Sequence, residues 1–166
     1  MANLSKRRNS RKKGQSIVEL SVGLIALIPI VLVVFDLAVI VIGVQINDST
    51  CREAARVAAS GAPKDQANRA KAVISRANQR AAGMLSNFVL ITDPPLSTVT
   101  QAQADALNPY GGALNGTVTV QTEVDIKPFV VQAAYNGQSP LKFRSQQSFP
   151  ITYVVPNNAA PSPPPP

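Results

Sequence analysis

Residues 20–44 read LSVGLIALIPIVLVVFDLAVIVIGV, and the fold turns on this stretch. Eighteen of its 25 residues are Leu, Ile, Val or Phe; its one charge is Asp36, and Ser21, Gly23, Pro29 and Gly43 are its interruptions. About 20 apolar helical residues suffice to cross a bilayer. At about −0.3 to −0.6 kcal/mol each, the large apolar side chains outweigh an Asp costing about +2.5 to +3.5 kcal/mol near the middle. The stretch therefore predicts a transmembrane helix, loosened or kinked at Pro29.

Working outward, the residues before it are basic. Lys6, Arg7, Arg8, Arg11, Lys12 and Lys13 precede Gly14 with no acid among them, whereas the dozen residues after the span hold two basic ones, Arg52 and Arg56. This asymmetry orients the N-terminus to the cytoplasm and the remainder outside. A cleaved secretory signal opens in the same way, but its apolar core runs about 7 to 15 residues, much shorter than this one. On the other side, residues 45–59 (QINDSTCREAARVAA) hold no Gly or Pro, and Gly61-Ala62-Pro63 is the first helix stop. A helix over residues 15–59 would be about 68 Å long and would protrude as a stalk.

Residues 64–85 place Ala67, Ala70, Val73, Ile74, Ala77, Ala81 and Met84 at helical spacing and predict a second, amphipathic helix. Residues 87–92 (NFVLIT) read as a short strand ended by Asp93-Pro94-Pro95, and residues 96–115, with Pro109-Tyr110-Gly111-Gly112, as an irregular loop. Residues 117–126 alternate, Val118, Val120, Val124 and Ile126 on one face and Thr117, Thr119, Gln121, Glu123 and Asp125 on the other, as in a half-buried strand. Asn136-Gly137 signals a turn, residues 143–155 read as one or two antiparallel strands, and the tail PNNAAPSPPPP as an extended, polyproline-like or disordered spacer. The expected fold class is α+β: a long N-terminal transmembrane helix continuing into a stalk, a second helix and a small antiparallel β-sheet. Its parts are a leader (1–14), the transmembrane and stalk helix (15–59), an extracytoplasmic domain (60–155) and the Pro-rich tail (156–166).

Composition excludes several functions. The net charge of +7 rests on the leader, which leaves +1 for the other residues, so no basic face for nucleic acid is expected. Without His and with Cys51 as the single Cys, His-based or multi-Cys zinc sites, Ser-His-Asp triads and intramolecular disulfides are ruled out. Cys51 is either a packed spectator or an intermolecular bridge. Glu123 and Asp125, two residues apart on the polar side of a strand, read as solvent face rather than as a catalytic or cation-binding pair. No cofactor, metal or small-molecule substrate is expected, and no enzymatic activity.

The junction Lys12-Lys13-Gly14-Gln15-Ser16-Ile17-Val18-Glu19-Leu20 sets a Glu at the mouth of the span, where a carboxylate needs a partner. A cut after Gly14 would make Gln15 the N-terminus and Glu19 the fifth residue. A basic leader, a Gly before the cut and Glu at position five resemble the type IV prepilin processing site. Residues 14–59, through GQSIVEL, Leu27-Ile28-Pro29, Phe35-Asp36 and Cys51-Arg52-Glu53-Ala54-Ala55-Arg56, are similar to the TadE-like minor pilins (pseudopilins) of Tad (Flp) pilus systems.

The resemblance implies cleavage between Gly14 and Gln15 by a prepilin peptidase, and pairing of Glu19 with a neighbouring subunit's N-terminal amine during assembly. It implies other pilins and the pilus assembly platform as partners, and the bacterial inner membrane as location. Leu20 departs from the aromatic residue that Tad pilins commonly carry after this Glu, and the length points to a minor subunit rather than the shaft. An unprocessed single-pass anchored binding protein is the alternative. Asp36 is either a tolerated polar residue or, with Pro29 on the same half of the helical wheel, an intramembrane helix contact. Arg52, Glu53 and Arg56 make either a solvated face with local ion pairs or a surface on which the stalk docks against the domain or a neighbour.

Overall fold

A computed structural model describes residues 4–158 apart from 82, 84, 109 and 135–139; for residues 4–16, 132 and 134 it describes the backbone alone. The fold is α+β. Helix α1 spans Leu4–Ala59 without a break at Pro29. It begins earlier than residue 15 because nothing between Leu4 and Gln15 stops a helix, and Gly14 costs only about 1 kcal/mol relative to Ala. A 3-10 turn, Pro63–Asp65, leads into α2 (Gln66–Arg80), shorter at both ends than the periodicity of residues 64–85 predicts. Then follow β1 (Leu85–Leu90), β2 (Leu96–Ser97), α3 (Gln101–Ala106), β3 (Gly112–Ala113), β4 (Thr117–Ile126), α4 (Phe129–Ala134), β5 (Leu141–Pro150) and β6 (Val154–Val155).

Strand β4 organises the sheet. β5 pairs antiparallel with it over all ten residues, from Thr117↔Pro150 to Ile126↔Leu141. One edge of β4 is thus taken, and β1 and β2 share the other, β1 from Leu85↔Ile126 to Leu90↔Thr122 and β2 at Leu96↔Thr119. A bulge between Ser86 and Val89 puts Asn87 at φ 55°, and the Asn78 side chain pins it by donating to Phe88 O and accepting from Phe88 N–H, both at 2.7 Å. β3 and β6 form a separate two-stranded ribbon. Residues 96–115 are therefore not an irregular loop. They hold two short strands and α3, whose Thr100 and Gln103 form a reciprocal capping box.

The upper half of α1 lies lengthwise on this sheet. Its buried positions are Asp36, Gly43, Asn47, Thr50, Cys51, Ala54, Ala55, Ala58 and Ala59, a stripe built on spacings of three, four and seven. Most are small, so the helix backbone approaches the fully buried Val118, Val120, Thr122, Val124 and Ile126 of β4 closely. α2 adds Ala70, Val73 and Ile74 to the core. At the top, Ala59 O accepts from Thr152 N–H at 3.1 Å and Ala58 O from Arg69 at 3.3 Å, which satisfies carbonyls the helix end leaves free, and Arg69 also donates to Ala62 O, in the turn beyond, at 2.8 Å. Gly61 lets that guanidinium pass, since a Cβ there would lie 2.0 Å from Arg69 Nη1. The Asn136-Gly137 turn and residues 159–166 of the tail lie outside the described residues.

Candidate functional site

Below Asp36 the described side chains of α1 are open to the surroundings. Every residue from 17 to 35 is exposed, including Ile17, Val18, Leu20, Val22, Leu24, Ile25 and the rest of the apolar run. This is one helix long and apolar enough to cross a membrane. Pro29 sits in its exposed middle and Glu19 near its start. The Gly14-Gln15 bond lies within the helical backbone of α1, and the Gln15 side chain falls outside the described ones.

At Asp36 the surroundings change. Its side chain is 0% exposed and accepts hydrogen bonds from the backbone N–H groups of Phe129 and Val131, both at 2.8 Å, and of Val130. These are the first three N–H groups of α4, donors that a helix start leaves unsatisfied. α4 has no acid in its own first turn, and Asp36 supplies one from 93 residues earlier, where the helix dipole favours it. The buried Pro128 sets the start of α4. Asp36 thus contacts a short helix of its own chain, at the level where the domain begins. The apolar span predicted over residues 20–44 is accordingly split, bare to residue 35 and covered on one side from residue 36.

Above it, polar side chains fix the register of α1 on the sheet. Asn47 accepts from Thr122 Oγ1 at 2.9 Å and donates to Phe143 O at 3.1 Å; Cys51 Sγ lies 3.3 Å from Val120 O and 3.4 Å from Ser145 O as donor to both. Asp48 accepts from Gln147 Nε2, Ser145 Oγ and Arg52. The Gln147 and Ser145 bonds, followed by Arg52, hold its carboxyl below the usual aspartate range. Glu53 pairs not with Arg56 three residues on but with Arg76 of α2 at 3.6 Å. The stalk residues thus serve partly local pairing and partly contact with the domain.

The reading of Glu123 and Asp125 as solvent face is corrected. They are 9% and 7% exposed. Glu123 is gripped by Arg144 Nε at 2.7 Å and Lys142 Nζ at 2.9 Å, and Asp125 accepts from Asn87 Nδ2 at 2.9 Å. Alternation places both acids on the outer face correctly, but the long side chains of β5 and the bulge of β1 cover that face. Arg144 first and Lys142 second hold the Glu123 carboxyl low, and Glu123 in turn raises the Lys142 ammonium. This is a charge ladder across strands, in which Glu123 is paired at both oxygens and Asp125 at Oδ2, with Asp125 Oδ1 buried and without a hydrogen-bond partner among the described residues. Among the described residues no group of three or more acidic, Cys or His side chains is placed to hold a metal ion.

Compared with known proteins, the chain matches no family model, no curated protein and no solved structure.

Proposed function

We propose that the chain is a minor pilin, or pseudopilin, of a Tad-type (Flp) pilus or a related secretion system, cut after Gly14 by a prepilin peptidase and assembled through its N-terminal helix. The observation that carries this reading is the division of α1. One continuous helix forms the core of a folded domain with its upper half and leaves residues 17–35 as a bare apolar rod. At about 1.5 Å per residue, these 19 residues span about 28 Å, close to the roughly 30 Å hydrocarbon core of a bilayer. A rod of that length has two apolar environments open to it, lipid before assembly and neighbouring helices after it.

In this reading the six basic residues of the leader hold the N-terminus in the cytoplasm of a single-pass inner-membrane protein. Cleavage frees the Gln15 amine, and Glu19 of an adjacent subunit meets it inside the apolar bundle. An amine and a carboxylate that both enter lipid are each costly alone, and their contact relieves both costs while setting the axial register. Partners are then the peptidase, other pilins and the assembly platform, and the role is assembly rather than catalysis.

The test is intact mass and N-terminal sequencing of the membrane-fraction protein with and without a prepilin peptidase, beside Gly14→Ala. The reading expects a peptidase-dependent start at Gln15 that Gly14→Ala abolishes. An intact leader in the presence of active peptidase would leave an unprocessed, membrane-anchored binding protein.

A further inference from the structure

The apolar surface of α1 does not stop where the domain begins. Leu37, Val41, Ile42, Val44 and Ile46 remain 39–55% exposed on the faces that the sheet and α4 leave uncovered. From residue 17 to residue 46 the exposed apolar surface is therefore about 45 Å long, against a hydrocarbon core of about 30 Å and a full bilayer, headgroups included, of about 40–45 Å. With the lower rod filling the hydrocarbon, residues 37 to about 41 lie in the headgroup layer, about 5–7 Å thick on that side, and the residues above them lie beyond it. α4 is fixed to α1 at Asp36, at the lower end of that zone. The layer that surrounds the first residues above Asp36 also surrounds α4.

The composition of this corner of the domain suits such a layer. Phe129 is 66% exposed, although α4 is held down by buried Pro128 and by three hydrogen bonds to Asp36, so an aromatic ring is presented outward on a rigid mount. Lys127, two residues earlier, is exposed. An aromatic ring at the acyl boundary with an ammonium reaching the phosphates is the arrangement favoured at membrane interfaces. In water the same ring would be an uncompensated apolar exposure.

We propose that the underside of the folded domain, centred on Phe129 with Lys127 beside it, rests in the headgroup layer of the membrane that α1 crosses. α4 then acts as a foot that sets the depth and tilt of the helix. The proposal rests on reading residues 17–35 as the membrane span.

The chain contains no Trp, so single-Trp variants report position directly. Phe129→Trp in the foot, Leu27→Trp in the rod and Val154→Trp, exposed in the β3–β6 ribbon, are each made in the full chain. They are reconstituted in phosphatidylcholine–phosphatidylglycerol vesicles carrying lipids brominated either near the headgroup or deep in the acyl chains. The foot predicts that the indole of Leu27→Trp is quenched by deep bromines, that the indole of Phe129→Trp is blue-shifted and quenched by shallow bromines, and that the indole of Val154→Trp is quenched by acrylamide alone. Foot-variant emission that behaves like that of the ribbon variant, while the rod variant remains lipid-quenched, would overturn the foot and leave the span standing. An indole in Phe129→Trp that is shielded from acrylamide yet untouched by bromines would assign the surface to a second copy and equally overturn it. Failure of lipid to quench the rod variant would remove the span and the foot together.

Discussion

Asp36 shows how one side chain joins two parts of a molecule. It is the single charge in an apolar run of 25 residues, and it is consumed entirely by the three opening N–H groups of α4. Asp36→Ala leaves those donors buried and unmet, which costs about 1–3 kcal/mol for a buried donor left without its partner. The expected result is loss of hydrogen-exchange protection at residues 129–131 and a lower Tm for the full chain in detergent. Asp36→Asn, which keeps an acceptor oxygen, falls between the two. Unchanged protection in the Ala variant would contradict the capping role. The sequence marks Asp36 as anomalous, because a charge in an apolar helix requires compensation, but its partner lies 93 residues away and no local pattern names it. Thr122 is hidden for a different reason. A hydroxyl on the inward face of an alternating strand reads as a break in the core until Asn47 is seen to receive its hydrogen bond.

At the scale of elements, α1 is two helices in function and one in backbone. Gly43 marks the contact of the second with the lower end of the sheet, where a Cβ would lie 2.4 Å from Ile126 Cδ1 and 2.7 Å from Leu85 Cδ2. Gly23, in the bare rod, has nothing within 4 Å of such an atom. Gly43→Val should therefore lower the unfolding free energy by about 1–3 kcal/mol through overpacking, against a helix-propensity gain below about 1 kcal/mol. Gly23→Val gains the same propensity and meets no clash, so thermal unfolding in detergent should leave its domain transition unmoved. Equal effects at the two glycines would mean that helix propensity, and not the approach of the sheet, governs both. The elements differ in how far they are legible. β4 matches the predicted residues 117–126 because its alternation is long and its inward face is β-branched. α3 escapes a reading by periodicity although Thr100-Gln101-Ala102-Gln103 spells a capping box, since its six residues carry too little apolar pattern to stand out in a polar stretch. The bounds of α2 and β1 differ from the predicted ones because tertiary contacts, among them the Asn78 grip on Phe88, override local propensity at element ends.

At the scale of the molecule, α1, β4 and β5 are clamped together by ion pairs and charged hydrogen bonds whose pairing depends on a register that only the fold supplies. Asp48 ties α1 to β5, and Glu123 ties β4 to Lys142 and Arg144 of β5. Both carboxyls are held below their ordinary values of 3.8 and 4.5, so each contributes stability that is complete above its unfolded value and is lost as pH falls through its lower folded one. The Lys142 ammonium is held above its ordinary 10.5, so its contribution is complete below that value and is lost as pH rises through the folded one. The Tm of the domain should accordingly be flat between about pH 5 and pH 10 with respect to these groups and decline on both sides. Because the Glu123–Lys142 pair is largely solvent-screened, the effect is modest and falls with added salt. Lys142→Met should remove the alkaline decline and part of the acid one, since Arg144 remains on Glu123. Glu123→Gln should weaken both. An alkaline decline that survives in Lys142→Met would place its origin outside this ladder, and melting curves across pH at two salt concentrations decide the matter.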